Sequence, residues 1–144
     1  MQTLITWLRS VLDDIEAAAK AATPGPWGAQ PGGQGTFDNE WEVVSDAHEP
    51  PEPGHYVVYT GYEGGGASSE QNALHIARHD PRQVLEDVRM KRDLLDEYEA
   101  VAHLDTEGPE LGYAHGRTVG LGEAVKTIAA AYRHRPGWRD SWGA

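Results

Sequence analysis

Apolar residues recur at helical spacing through the first turns of the chain. Leu4, Leu8, Val11, Ile15, Ala18 and Ala22 form a stripe that Ile5, Leu12 and Ala19 widen, while Thr6, Arg9, Asp13, Asp14, Glu16 and Lys20 fall largely opposite. The pattern predicts an amphipathic helix over 3–22, stopped by Thr23-Pro24-Gly25-Pro26. The period then changes. Residues 27–30, 41–45 and 55–60 are short runs rich in β-formers, and they read as three strands. Gly32, Gly33 and Gly35 punctuate the first join, and Pro50, Pro51 and Pro53 the second, so a small antiparallel meander is the simplest arrangement. Gly64-Gly65-Gly66 releases the chain into helices.

Two helices follow, over about 69–79 and 81–103, and they meet at Asp80-Pro81. An aspartate can accept hydrogen bonds from the unpaired N–H groups of a first turn, and proline at the first helical position has no N–H to leave unpaired. Gln83, three residues after Asp80, completes a capping-box-like pattern. The residue before a proline is biased away from helical angles, which ends the earlier helix near His79. Ser68 or Ser69 caps that earlier helix, with Glu70 and Gln71 in its first turn. The longer helix carries Val84, Leu85, Val88, Leu95, Tyr98 and Ala102 on one broad face, with Leu94 and Val101 at its margin. Residues 104–120, with Gly108, Gly112, Gly116 and Gly120, read as a loop before a last helix over 121–134 that uses Leu121, Val125, Ile128 and Tyr132. The expectation is a single α+β domain over 1–144, with a three-stranded antiparallel meander packed against four helices.

Composition narrows the function classes. The chain has no cysteine, which excludes disulfides, thiolate metal sites and cysteine catalysis, and is compatible with a reducing compartment. Its formal net charge of −11 is the wrong sign for nucleic acid and for anionic membranes, and it favours solubility and attraction to a basic partner. No run approaches the ~18 apolar residues a membrane helix needs. Residues 1–22 lack a basic leader, and Arg9, Asp13, Asp14 and Glu16 interrupt the apolar positions. A cytoplasmic protein is expected.

Three constellations are candidates for function. His75 and His79 are four apart on one helix and face the same way, so they are candidate ligands for zinc or another divalent ion, with Asp80, His103 or His115 to complete the shell. No glutamate follows His75, so the His-Glu-x-x-His pattern is absent, and no metal or other cofactor is favoured. Asp93, Asp96 and Glu97 belong to an acidic run from Glu86 to Glu110 that includes Asp87, Glu99, Asp105 and Glu107. Such a run is either a solvated helix face, broken here by Lys91 and Arg92, or a surface for a basic partner. Trp138 and Trp142 stand among Arg133, Arg135 and Arg139, a combination common at interface hot spots; the intramolecular alternative folds the tail back onto the core. Phosphate-loop, dinucleotide-binding and Gly-x-Ser-x-Gly patterns are all missing.

The chain resembles a family of small actinobacterial and actinophage proteins of unassigned function in three places. These are Ala22-Thr23-Pro24-Gly25-Pro26-Trp27, His75-Ile76-Ala77-Arg78-His79-Asp80-Pro81-Arg82-Gln83-Val84-Leu85 with its continuation to Leu95, and Ala131 through Trp142. The middle motif is the specific one. Cysteines that members often carry between the long and terminal helices are absent here. The resemblance implies a bacterial or temperate-phage accessory protein. The expected function is therefore non-enzymatic, through binding of a host or phage protein with a basic surface at Asp93, Asp96, Glu97, Trp138 and Trp142. The alternatives are a histidine-based metal-dependent hydrolase using His75 and His79, and a structural homo-oligomer built on the 81–103 helix.

Overall fold

Continuous apolar spacing and the absence of Gly or Pro up to Ala22 produce one long first helix, α1 (Gln2–Ala21). In the computed structural model, residues 1–32, 40–50, 52, 54–61, 64–103 and 111–143 are described. The elements after α1 are β1 (Trp27–Pro31), β2 (Trp41–Ser45), β3 (Tyr56–Val58), β4 (Thr60–Gly61), β5 (Gly64–Gly65), α2 (Glu70–Arg78), α3 (Pro81–Ala102) and α4 (Leu111–Ala130), with a 3-10 turn at Asp140–Trp142. The α+β class, the four helices and the antiparallel β1-β2-β3 order are as the sequence predicts. Gly33, Gly35, Pro51, Pro53 and residues 104–110, with Asp105, Glu107 and Glu110, lie outside the described residues. Among the described residues no helix is long and apolar enough to cross a membrane.

The chain forms two compact units, Met1–Ile15 with Asp87–Ala144, and Glu16–Glu86. In the first, Leu4, Ile5, Leu8 and Leu12 bury against Val88, Leu95, Val125 and Ala129. Trp7, Tyr98, Ile128, Tyr132, Trp138 and Trp142 surround this cluster half-buried. In the second, Val43 of β2 meets Ala67 and the α2 residues Ala73 and Ala77, flanked by Trp27, Ala29, Trp41, Val57, Val58 and Ile76.

Both predicted caps form. Ser69 Oγ accepts the Asn72 N–H at 3.1 Å, and Asp80 Oδ1 accepts the Gln83 N–H at 2.8 Å. Three expectations need correction. The stretch 55–60 is not one strand: β3 pairs with β2, whereas β4 turns away to pair with β5. Gly64-Gly65 is accordingly a strand and not merely a release; their positive φ values, 100° and 127°, are ones a side chain would resist. The last helix begins at Leu111, not at 121, and ends at Ala130. Gly112, Gly116 and Gly120 repeat every fourth residue, so they share one exposed stripe where an added Cβ would touch nothing within 4 Å. The opposite side carries the helix, through buried Gly122, Val125 and Ala129 and the Thr118 hydroxyl on the Val101 carbonyl. Each glycine costs about 1 kcal/mol relative to alanine, a penalty that packing overrides.

Candidate functional site

The turn after α1 and the start of α3 are tied together by one carboxylate. Asp80 is only 5 % exposed, so its charge must be met by donors. Oδ1 takes the Gln83 N–H, and Oδ2 takes the Trp27 N–H at 3.3 Å, from 53 residues away in sequence. The turn is shaped to reach it. The Gly25–Pro26 peptide is cis, and an added Cβ on Gly25 would lie 2.6 Å from Asp80 Oδ2. Trp27 Nε1 donates to the Thr23 carbonyl at 2.9 Å, and Ser45 Oγ donates to the Pro24 carbonyl. Two segments singled out in the sequence, Thr23–Trp27 and the His75–Leu85 stretch, thereby form one structure.

Beside this junction lies an open groove of ≈ 290 Å³. Its walls are Pro26, Trp27, Gly28 and Ala29 on the β1 side, and Leu74, Ala77, Arg78, Asp80, Arg82 and Gln83 on the helical side. Leu74, Arg78 and Arg82 are exposed, and neither arginine forms an ion pair among the described residues. Sequence reasoning missed this groove. A signal existed in the neighbours of Arg78: positions 74, 75, 81 and 82 are Leu, His, Pro and Arg, so no carboxylate lies within helical reach of it.

The other candidates are placed as follows. The rings of His75 and His79 are 4.4 Å apart, on an exposed helix surface. His79 Nδ1 is hydrogen-bonded to the His75 carbonyl at 2.8 Å. Asp80, a possible third ligand, directs both oxygens to backbone N–H groups. Among the described residues no group of three His, Cys, Asp or Glu is arranged to hold a metal ion. Of the acidic candidates, Asp96 is bonded by Arg9 at 2.5 Å, with Glu99 at 2.7 Å from the same nitrogen, and Glu97 faces Arg117 at 3.4 Å. The hydrogen bond to Asp96 is the largest influence on Arg9; with Glu99 it raises the guanidinium pKa above its ordinary value, against a smaller opposing effect of burial. Asp93 is exposed. Trp138 and Trp142 are half-buried against Trp7, at ring distances of 5.4 and 5.3 Å, and the Trp7 Nε1 donates to the Pro136 carbonyl at 2.8 Å. Arg139 lies 5.4 Å over the Trp142 ring. The tail is thus folded back on its own unit.

The chain belongs to a family of unknown function, DUF6221, whose model matches residues 1–144. No curated protein and no solved structure matches it.

Proposed function

We propose that this chain is a non-enzymatic accessory protein of bacterial or temperate-phage origin, and that it acts in the cytoplasm by binding another protein at the groove between β1 and α2. The observation that carries this reading is the groove's lining: an exposed leucine, a tryptophan and two arginines that form no ion pair among the described residues, around an apolar floor of Ala29 and Ala77. Tryptophan and arginine dominate binding energy at protein interfaces, and an apolar centre with a polar rim is the usual anatomy. The helix face at Asp93, Asp96 and Glu97 is the weaker candidate, because Arg9 and Arg117 already offset two of its three carboxylates. The net charge of −11 then acts at long range, on the rate at which partners approach, rather than as the contact itself.

A photo-crosslinking amino acid at position 74, with one at the exposed Met90 as control, tests the reading in the producing cell. The expected result is a discrete protein adduct from position 74 alone, and loss of that partner's binding in Leu74→Asp. Equal adducts from both positions, or unchanged binding by Leu74→Asp, would place the contact elsewhere.

A further inference from the structure

Strand register decides which backbone groups of β1 face its partner. The pairs Trp27–Ser45, Ala29–Val43 and Pro31–Trp41 alternate with Gly28–Val44 and Gln30–Glu42. At one end of this ladder the Gly32 N–H donates to the Glu40 carbonyl at 2.8 Å, and at the other the Asp46 N–H donates to the Pro26 carbonyl at 3.0 Å. In an antiparallel pair, hydrogen-bonded positions alternate with positions whose groups point away. Gly28 and Gln30 therefore bond to β2, as Gly32 does to Glu40 just before it, and Trp27 and Ala29 direct their N–H and C=O groups to the outer edge. The Trp27 N–H confirms this phase, because it is the group that Asp80 captures. The Ala29 N–H and C=O and the Trp27 C=O have no partner among the described residues. They open onto the groove that Ala29, Leu74, Ala77, Arg78 and Arg82 line.

We infer that this edge takes up an extended, acidic segment of a partner protein as an added strand, with its carboxylates on Arg78 and Arg82. The inference rests on the binding role proposed above and names the partner's chemistry. Main-chain hydrogen bonds to an exposed strand supply affinity in this mode, and flanking side chains supply selectivity. Two outward carbonyls and one outward N–H ask for a segment with free N–H groups, so proline is excluded at the paired positions. Arg78 and Arg82, which form no ion pair among the described residues, set the sign of the segment in a chain of net charge −11. Screening over about 8 Å at physiological salt lets this local pair act against the charge of the whole surface. A second copy fits poorly, since its own edge, Trp27-Gly28-Ala29-Gln30-Pro31, carries no carboxylate and ends in a residue without an N–H.

The test is selection of a random dodecapeptide library on the intact protein, followed by amide hydrogen exchange. Enriched peptides are expected to carry Asp or Glu beside a proline-free run, and to slow exchange at the Ala29 amide by about tenfold or more, as a new ladder bond requires. Joint Arg78→Glu and Arg82→Glu substitution should weaken these peptides by about tenfold or more. Ala29→Pro removes only the outward donor and should weaken them while the circular dichroism spectrum is unchanged; if that variant does not fold, Ala29 exchange in the unaltered protein decides. Failure to enrich acidic peptides, or peptide binding without protection of Ala29, overturns strand addition. So does a dimer that protects Ala29 without peptide. A partner crosslinked at position 74 that leaves Ala29 exchange unchanged would overturn this inference alone, whereas absence of both signals would overturn the binding role as well.

Discussion

In the unit formed by Met1–Ile15 and Asp87–Ala144, the most deeply buried side chains include Ile5, Leu8, Leu12, Leu95 and Val125. In the Glu16–Glu86 unit, the buried cluster is Val43 with three alanines, and every buried polar residue among the described ones is here: Glu42, Ser45, His55, Thr60 and Asp80. The first unit is held by apolar area, at roughly 1.5–3 kcal/mol per large side chain. The second is fixed by directed bonds. Glu42 takes the Thr60 N–H and hydroxyl on one oxygen and the Gln30 amide on the other, and Asp80 joins β1 to α3. A hydrogen bond contributes only about 1 kcal/mol when made, yet leaving a buried group unpaired costs about 1–3 kcal/mol. Directed bonds therefore add little bulk stability but hold backbone in one register. That is what an edge strand beside an open groove needs.

The contrast can be tested by substitution, and the largest effect belongs to the apolar unit. Leu8→Ala should lower the unfolding free energy by about 3 kcal/mol in urea titration, because the side chain has no exposed surface and its neighbours cannot fully collapse into the space. A loss under about 1 kcal/mol would show that apolar packing is not what holds this unit. Asp80→Ala comes next, at about 2 kcal/mol, as it removes a helix cap and strands the Trp27 N–H. Asp80→Asn should recover part of that loss, since one amide oxygen can still cap. If alanine and asparagine cost the same, the cap that asparagine retains has no energetic role, and the loss belongs to the bond with Trp27.

Trp7→Phe keeps ring contact with Trp138 and Trp142 but loses the bond to the Pro136 carbonyl, for about 1 kcal/mol and a changed near-ultraviolet dichroism. An unchanged dichroism would indicate that the tail is not seated on Trp7. Arg9→Gln should cost less than about 1 kcal/mol at low salt and almost nothing at high salt, because the ions are partly exposed. Its pKa is raised in the fold, so the stabilisation is complete below the ordinary guanidinium value and fades only as pH rises through the higher folded one. Titration across neutrality should therefore leave the difference between Arg9→Gln and wild type flat; a slope there would assign it to another group. Smallest of all, His75→Ala with His79→Ala should change stability by under about 0.5 kcal/mol, and elemental analysis of the purified protein should give no stoichiometric zinc, nickel or manganese. One metal per chain, lost in the double variant, would revive the hydrolase reading.

Features decided within a few residues were legible in the amino-acid order. The α1 stripe, the start of α2 at Ser69 and of α3 at Pro81, and the three-strand meander all depend on side-chain period or on one hydrogen bond across a turn. Local reading failed where spacing outweighed identity, as in Gly112, Gly116 and Gly120, whose shared face leaves α4 intact. Long-range choices belonged to the tertiary structure alone. It set the second oxygen of Asp80 against Trp27, gave Asp96 and Glu99 to Arg9, and folded Trp138 and Trp142 onto Trp7. It also turned the Ala29 N–H outward, because a strand's bonding phase is fixed by its register with a neighbour and shifting that register by one residue reverses every group along it.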